Sequence, residues 1–291
     1  LLFLLGVGPL LSWRKATGKN LVRAFTWPVA TAVVVGLLHA FVGPSVGLPP
    51  TIVASKGEGG GGPLMEAFFT ISPIVSTTIC AFVMGTIVQE FWRGTRVRMR
   101  KGEDALTALF RLVSRAKRRY GGYVVHAGIV LMYLGWTGAA YDQEAEGLLR
   151  VGEKMAVGDY QVRYDGARFE QDPNKRMLFA DLTMLDASGE KLTEVSPAKF
   201  IYRTHPEMPT TEVAIRSGPT EDVYVILSTI AEEDSRATLR VVIRPLVFWI
   251  WAGGIVLIFG VAIAISPPIK ELLGESDESL LAKMAARPSF D

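Results

Sequence analysis

The stretch GYVVHAGIVLMYLGWTGAAY, residues 122–141, decides the fold. It contains no Asp, Glu, Lys or Arg, and a helix of roughly 20 mostly apolar residues is long enough to cross the hydrocarbon core of a bilayer. A basic segment precedes the stretch, and a long polar segment follows it. The stretch therefore predicts a membrane-spanning helix that leads into a soluble part of the chain.

Other runs have the same character, at about 24–42, 67–92 and 246–265, and a shorter one at 1–13 starts the sequence. The composition agrees: 49% hydrophobic and 21% charged residues are too apolar for a soluble domain and too charged for a bare helical bundle. We predict an α-helical polytopic membrane protein with about five spans, the first of them truncated. Because the sequence opens inside a helix, without Met or a signal-peptide pattern, we expect a piece of a longer protein.

The charges of the loops predict the orientation. Basic residues crowd the connections after the first and third spans, whereas the loop 43–64 carries only Lys56 and Glu58. The positive-inside rule assigns the basic connections to the cytoplasm. The expected divisions are 1–141 for four spans with basic cytoplasmic loops, 142–244 for a periplasmic β-rich domain, 245–265 for the last span and 266–291 for a cytoplasmic tail.

The segment between the last two spans has the period of β-strands. Alternating or strand-like runs occur at 160–164, 178–185, 211–216, 223–227 and 238–243. Asp186 to Gly189 is a turn signal between two of them. Several short strands separated by Gly, Pro and Asp favour a small antiparallel sandwich or open barrel inserted between the spans.

The basic connection after the third span contains a helical stripe formed by Leu106, Leu109, Phe110 and Val113. This spacing predicts an amphipathic helix on the inner membrane surface. The alternative is a solvated loop whose charge only sets the orientation. Since orientation explains the charge, nucleic acid is not an expected partner, and membrane lipid is.

Three histidines are the candidates for chemistry. His126 lies inside a span, roughly one and a half turns from its basic end, where an ionisable side chain is costly and indicates function. Gly122, Gly128, Gly135 and Gly138 on the same span would allow a neighbouring helix or a flat macrocycle to approach its backbone. His126 is therefore either a ligand or a histidine hydrogen-bonded to an adjacent helix. A structural role is favoured for His39, and an exposed loop position for His205.

The other groups of polar residues do not indicate a catalytic or metal-binding site. The sequence has one cysteine, Cys80, so no disulfide can form within the chain. We find no Cys and His cluster of the kind that binds metals, no phosphate-binding loop and no nucleophile elbow. Glu90 is expected to form a structural ion pair with Arg93 or a neighbouring arginine.

The order of the motifs resembles the C-terminal part of the CcmF-type haem lyase of cytochrome c maturation. The segments that carry the resemblance are QEFWRGTR (89–96), RRYGGYVVHAG (118–128), MPTTE (208–212) and RPLVFWIWAGG (244–254), with LGVGPLL (5–11) in support. They cover essentially the whole chain. Each segment is weak alone, but their order is specific.

The resemblance implies a function in the bacterial cytoplasmic membrane. CcmF-type proteins act with a haem chaperone and other maturation subunits to attach haem to apocytochrome c in the periplasm. They also hold a b-type haem between two membrane histidines, with quinol as a candidate electron donor. The resemblance makes His126 one axial ligand of that haem iron. It identifies no catalytic residue and gives no role to His39 or His205.

Two features of the family have no counterpart in these residues: its tryptophan-rich haem-handling segment and its other membrane histidine. The resemblance therefore implies a fragment or a split gene product, whose N-terminal half is in the same or a separate chain. Such a chain is not expected to be an active enzyme alone. The competing hypotheses are a haem transporter and a non-catalytic membrane assembly scaffold.

Overall fold

The computed structural model of the chain describes residues 2–10, 18–52, 62–231 and 235–267. Its helices are α1 (Leu2–Val7), α2 (Gly18–Val42), α3 (Pro63–Met99), α4 (Ala105–Arg115), α5 (Lys117–Thr137) and α6 (Val247–Ile265). Within these described ranges, four helices, namely α2, α3, α5 and α6, are long and apolar enough to cross a membrane. The predicted polytopic helical fold is confirmed.

The truncated first span was predicted over 1–13. Its described part is the short helix α1 followed by a 3-10 turn at Gly8–Leu10. Residues 11–17, which include Trp13 and the first basic residues, lie outside the described part of the chain, and so do residues 268–291 of the predicted tail.

Helix α3 contains Pro73, which has no backbone N–H to donate. The N–H of Ile74 donates to the carbonyl of Pro50 at 3.2 Å, and the N–H of Ile52 donates to the carbonyl of Thr70 at 3.0 Å. A helix would normally pair Ile74 with Thr70. The segment around Thr51 therefore adds two backbone hydrogen bonds to this part of α3. The missing N–H of Pro73 leaves the carbonyl of Phe69, which accepts from the Ser72 hydroxyl at 2.8 Å instead.

Contacts divide the described residues into two compact units. One lies within Leu1–Leu38, Thr77–Met132 and Ala252–Asp291, and the other within His39–Ser76 and Tyr133–Trp251. The first contains Glu90 and His126. The second contains His39 and all of the β-strands.

The β-rich segment forms two antiparallel sheets. Its strands are β1 (Gln143–Leu149), β2 (Lys154–Val157), β3 (Tyr160–Gln171), β4 (Lys175–Asp186), β5 (Lys191–Val195), β6 (Ala198–Tyr202), β7 (Thr210–Glu212), β8 (Ala214–Ser217), β9 (Glu221–Ala231) and β10 (Arg236–Pro245). One sheet has the order β1-β10-β9-β8. The other has the order β2-β3-β4-β6-β7, with β5 paired to β4. The predicted inserted sandwich is confirmed.

The sandwich core comes from the inward residues of both sheets. Tyr164, Leu182 and Met184 from one sheet and Val225 and Leu239 from the other are almost fully buried and belong to one apolar cluster. Strand β1 pairs along its whole length with β10. The strand that follows α5 and the strand that precedes α6 therefore lie side by side.

One strand prediction was wrong in detail. The run 211–216, which was expected to be a single strand, is divided between β7 and β8, which belong to different sheets. Val213 is the residue between them. Period-two alternation continues through such a crossing, so the pattern alone does not reveal that the chain changes sheets.

The turn predicted at Asp186 to Gly189 is confirmed. The Asp186 carboxylate accepts hydrogen bonds from the Ser188 hydroxyl at 2.6 Å and the Glu190 N–H at 2.8 Å. These bonds favour the ionised carboxylate and lower the pKa of Asp186 below its ordinary value. Gly189 occupies the left-handed region at φ 88°, which a turn of this type demands.

Candidate functional site

The glycines of α5 pack against α6. A β-carbon built on Gly128 would lie 2.6 Å from the Leu257 nitrogen and 2.7 Å from the Gly253 oxygen. A β-carbon on Gly121 would lie 2.8 Å from the Gly260 oxygen. The two backbones are thus in direct contact through glycines spaced seven apart, as in membrane helix pairs built on small residues. Gly128 therefore packs against the neighbouring helix and leaves no room there for a macrocycle.

A second face of α5 packs against α3 through a polar cluster. Arg119 Nη2 donates to Glu90 Oε2 at 2.5 Å, and the Tyr123 hydroxyl donates to the same oxygen at 3.2 Å. Arg93 lies 3.8 Å from the other oxygen of Glu90. The Glu90 side chain is about nine-tenths buried. The predicted ion pair is confirmed, with Arg119 as the closer partner.

His126 lies at the edge of the second of these faces. At about 100° per residue, it is close to Arg119 and Tyr123 and nearly opposite the Gly121 and Gly128 stripe. Gly122, one turn earlier, has nothing within 4 Å of a built β-carbon, whereas Val130, one turn later, is buried. The helix is therefore open on the Gly122 side of His126 and packed on the other side.

The ring of His126 is half-buried, and one of its nitrogens has no partner. Nδ1 is buried and has no hydrogen-bond partner among the described residues, as is also true of Nδ1 of His39. An unpaired polar atom in an apolar region is unfavourable. When one ring nitrogen of a histidine binds a metal, the other normally has a partner that fixes the tautomer. The described residues supply no such partner.

These observations are compatible with a haem. The residue type is right, the neighbouring Gly122 position is open, and one ring nitrogen has no partner among the described residues. Within those residues, no cluster of three or more His, Cys, Asp or Glu could hold a bare metal ion. A single histidine beside a glycine suits a flat macrocycle whose own nitrogens supply the remaining ligands.

His39 has a different environment. Its Nε2 lies 3.1 Å from the Leu48 carbonyl and 3.2 Å from the Tyr141 hydroxyl. Since a carbonyl only accepts, Nε2 carries the proton, and the ring ties the end of α2 to the turn that follows it. Gly43 is required there, because any β-carbon would contact the Leu48 oxygen and the His39 ring. The structural role that was favoured for His39 agrees with these bonds.

His205 is exposed, as expected from its loop position. Its Nδ1 lies 3.7 Å from a carboxylate oxygen of Glu207, and both side chains are largely in solvent. Sequence reasoning missed the contributions of Arg119 and Tyr123 to the polar cluster. The i, i+4 spacing of an arginine and a tyrosine at the start of a span is a signal that could have found them.

Comparisons with known proteins agree with the geometry. Residues 140–245 match the family model described as the CcmF C-terminal β-sandwich, and this segment is the two-sheet domain described above. The predicted resemblance to the C-terminal part of CcmF is confirmed. The match ends at the last residue of β10, before α6 begins. The similarity of the helices to CcmF therefore depends on other comparisons.

The helices are covered by similarity to whole CcmF proteins. The cytochrome c-type biogenesis protein CcmF of Haemophilus influenzae is 28% identical over 274 residues, which are 88% of this chain and 35% of that protein. CcmF of Pseudomonas aeruginosa is 26% identical over 221 residues, 75% of this chain and 32% of that protein. The chain thus spans about a third of the length of these curated relatives.

A solved structure supports the fold. It is titled cytochrome c heme lyase CcmF, is 23% identical in sequence, and superposes with a TM-score of 0.64 over 91% of this chain and 38% of that chain. At this level of identity the likeness shows the shared architecture alone. The chain therefore shares its fold with the corresponding part of that protein.

Proposed function

We propose that the chain is a subunit or fragment of a cytochrome c haem lyase that supports the reduction of haem and its covalent attachment to apocytochrome c. The similarity to CcmF over 88% of the chain carries this proposal. Because the chain spans only about a third of those relatives, we expect it to act with an N-terminal half rather than alone. Its other expected partners are a haem chaperone, further maturation subunits, apocytochrome c and a quinol.

We further propose that His126 is an axial ligand of a b-type haem. The supporting observation is a histidine beside the open Gly122 position of a candidate membrane span, with one nitrogen unpaired among the described residues. When bound, the haem would supply one-electron chemistry. His126 would hold the iron through one ring nitrogen, and α3 and α6 hold α5 in place by packing against it. The expected N-terminal half would supply a second ligand.

The test is a reduced-minus-oxidised optical spectrum of the protein purified with that half, for wild type and two variants. His126→Ala is expected to remove the b-type bands, because the iron loses a ligand. His39→Ala is the matched control: it removes a membrane-end histidine whose hydrogen bonds are structural, so the bands should persist.

Both variants must fold for this result to count, which retained thermal melting in detergent would establish. Bands of equal intensity in wild type and His126→Ala would refute the ligand assignment. If a folded wild-type complex contains no haem, the assembly-scaffold hypothesis becomes the better one. A transporter would instead move haem into sealed vesicles.

The proposed orientation places the protein in the bacterial cytoplasmic membrane with the β domain in the periplasm. Ala187 lies in an exposed β-turn, and Arg100 is exposed in the basic connection after α3. Cys80 is buried, so the wild-type chain is a suitable background. We expect a membrane-impermeant maleimide to label Ala187→Cys in intact spheroplasts and to label Arg100→Cys only after the membrane is opened. The reverse labelling pattern would show that the opposite orientation in the membrane is correct.

A further inference from the structure

A groove lies between α2 and α3, away from His126. It has a volume of about 660 Å³, and its walls are formed by helical stripes on the two helices. Gly85 closes one end, because a β-carbon there would lie 3.1 Å from Thr31 and 3.3 Å from the backbone of Pro28. Nearer the basic ends of the helices, the Gln89 side-chain amide donates to the Ala24 carbonyl at 2.9 Å, and Arg93 Nη2 donates to the Arg23 carbonyl at 3.4 Å.

Three arginines line the other end of the groove: Arg23 from α2 and Arg93 and Arg96 from α3. Among the described residues, no carboxylate pairs with Arg23 or Arg96, and the carboxylate beside Arg93 is Glu90, whose closer partner is Arg119. The groove therefore carries an excess of positive charge. Like charges gathered at one membrane cavity are unfavourable unless an anion neutralises them.

The rest of the groove is suited to an acyl chain. Met84 and Val88 supply apolar walls, and Trp27 and Trp92 flank the opening with 70% and 58% of their surfaces exposed. Tryptophans at this position mark the headgroup level of a bilayer. The hydroxyls of Thr26 and Thr31 are bonded to their own helix and do not compete for a ligand.

We propose that this groove binds an anionic phospholipid, with its phosphate on the three arginines and an acyl chain between Trp27 and Trp92. Basic pockets between membrane helices bind such headgroups because guanidinium groups match phosphate in charge and geometry. The phosphate offsets part of the charge of the unpaired arginines, and the acyl chain covers the apolar walls. This site is independent of haem binding at His126.

The experiment is native mass spectrometry of the complete protein purified in a neutral detergent, titrated with phosphatidylglycerol or phosphatidylcholine. We expect specific retention of phosphatidylglycerol. The double variant Arg23→Gln/Arg96→Gln should bind it roughly 25-fold more weakly, at about fivefold for each arginine removed. The matched control, Arg100→Gln/Arg115→Gln, removes two exposed arginines outside the groove and should bind as wild type does.

Three results would overturn the proposal. Equal weakening in both double variants would mean that only the overall charge matters. Complete displacement of the lipid by millimolar inorganic phosphate would mean that the site takes free phosphate. Extraction of a quinone from the wild-type groove in place of phospholipid would point to Gln89, whose buried Oε1 has no donor among the described residues, as the recognising group.

Discussion

Truncation of Tyr164 to alanine is expected to destabilise the β domain by about 3–5 kcal/mol, the range for removing a buried aromatic ring. The Tyr164 side chain is fully buried between the two sheets. Its hydroxyl also donates a hydrogen bond to the Ser235 carbonyl at 2.9 Å. The loss of the ring leaves a cavity that the surrounding strands cannot close, and it leaves one carbonyl unpaired. The measurement is chemical unfolding of the purified protein, followed by near-ultraviolet circular dichroism.

Two control variants separate the loss of the buried ring from the loss of the hydrogen bond and from the loss of an exposed ring. Tyr164→Phe keeps the ring and removes only the hydrogen bond, so it should cost about 1 kcal/mol. Phe169→Ala truncates a ring in the same strand that is 50% exposed, so it should cost much less than Tyr164→Ala. If Phe169→Ala is as damaging as Tyr164→Ala, the core does not lie between the sheets as described.

Substitution of Gly253 by alanine is expected to weaken the pairing of α5 and α6 by about 1–3 kcal/mol, the usual cost of overpacking. A β-carbon at Gly253 would lie 2.6 Å from the Gly128 oxygen and 2.7 Å from the Met132 nitrogen. These are backbone atoms, so the contact can be relieved only by moving a helix. Thermal melting in a fixed detergent would measure the loss.

The neighbouring residue provides the matched control. Gly254 is also in α6, but nothing lies within 4 Å of a β-carbon built there. Gly254→Ala should therefore leave the melting temperature unchanged or raise it, because alanine favours helix. A similar loss in both variants would show that the effect arises from α6 itself rather than from its contact with α5.

Sequence patterns predicted the main elements well where burial has a simple period. The apolar stretch at 122–141 predicted most of α5, although the helix begins at Lys117 and ends in a 3-10 turn at Gly138–Tyr141. The stripe at 106–113 predicted α4. Leu106 and Phe110 are exposed, while Ala108 is fully buried. Val113, the last residue of the stripe, packs with Leu112 against the apolar cluster of the helices, so the stripe is open only at its start.

Part of the candidate site could likewise be predicted from the sequence, and part required the tertiary structure. The sequence alone determined that His126 lies in an apolar helix and that a β-sandwich is inserted between two such helices. These conclusions follow from composition and period, because a bilayer and a sandwich core each impose a repeating pattern on the chain. Similarity over most of the chain then supported the family.

Only the tertiary structure decided which face of each helix is used. It assigned Gly128 and Gly253 to a helix contact and Gly122 to open space, although all are glycines in apolar surroundings. It paired Glu90 with Arg119 and gathered Arg23 and Arg96 at one groove. Such pairings join residues far apart in sequence, and their geometry depends on how two helices cross, a property that no local pattern of residues encodes.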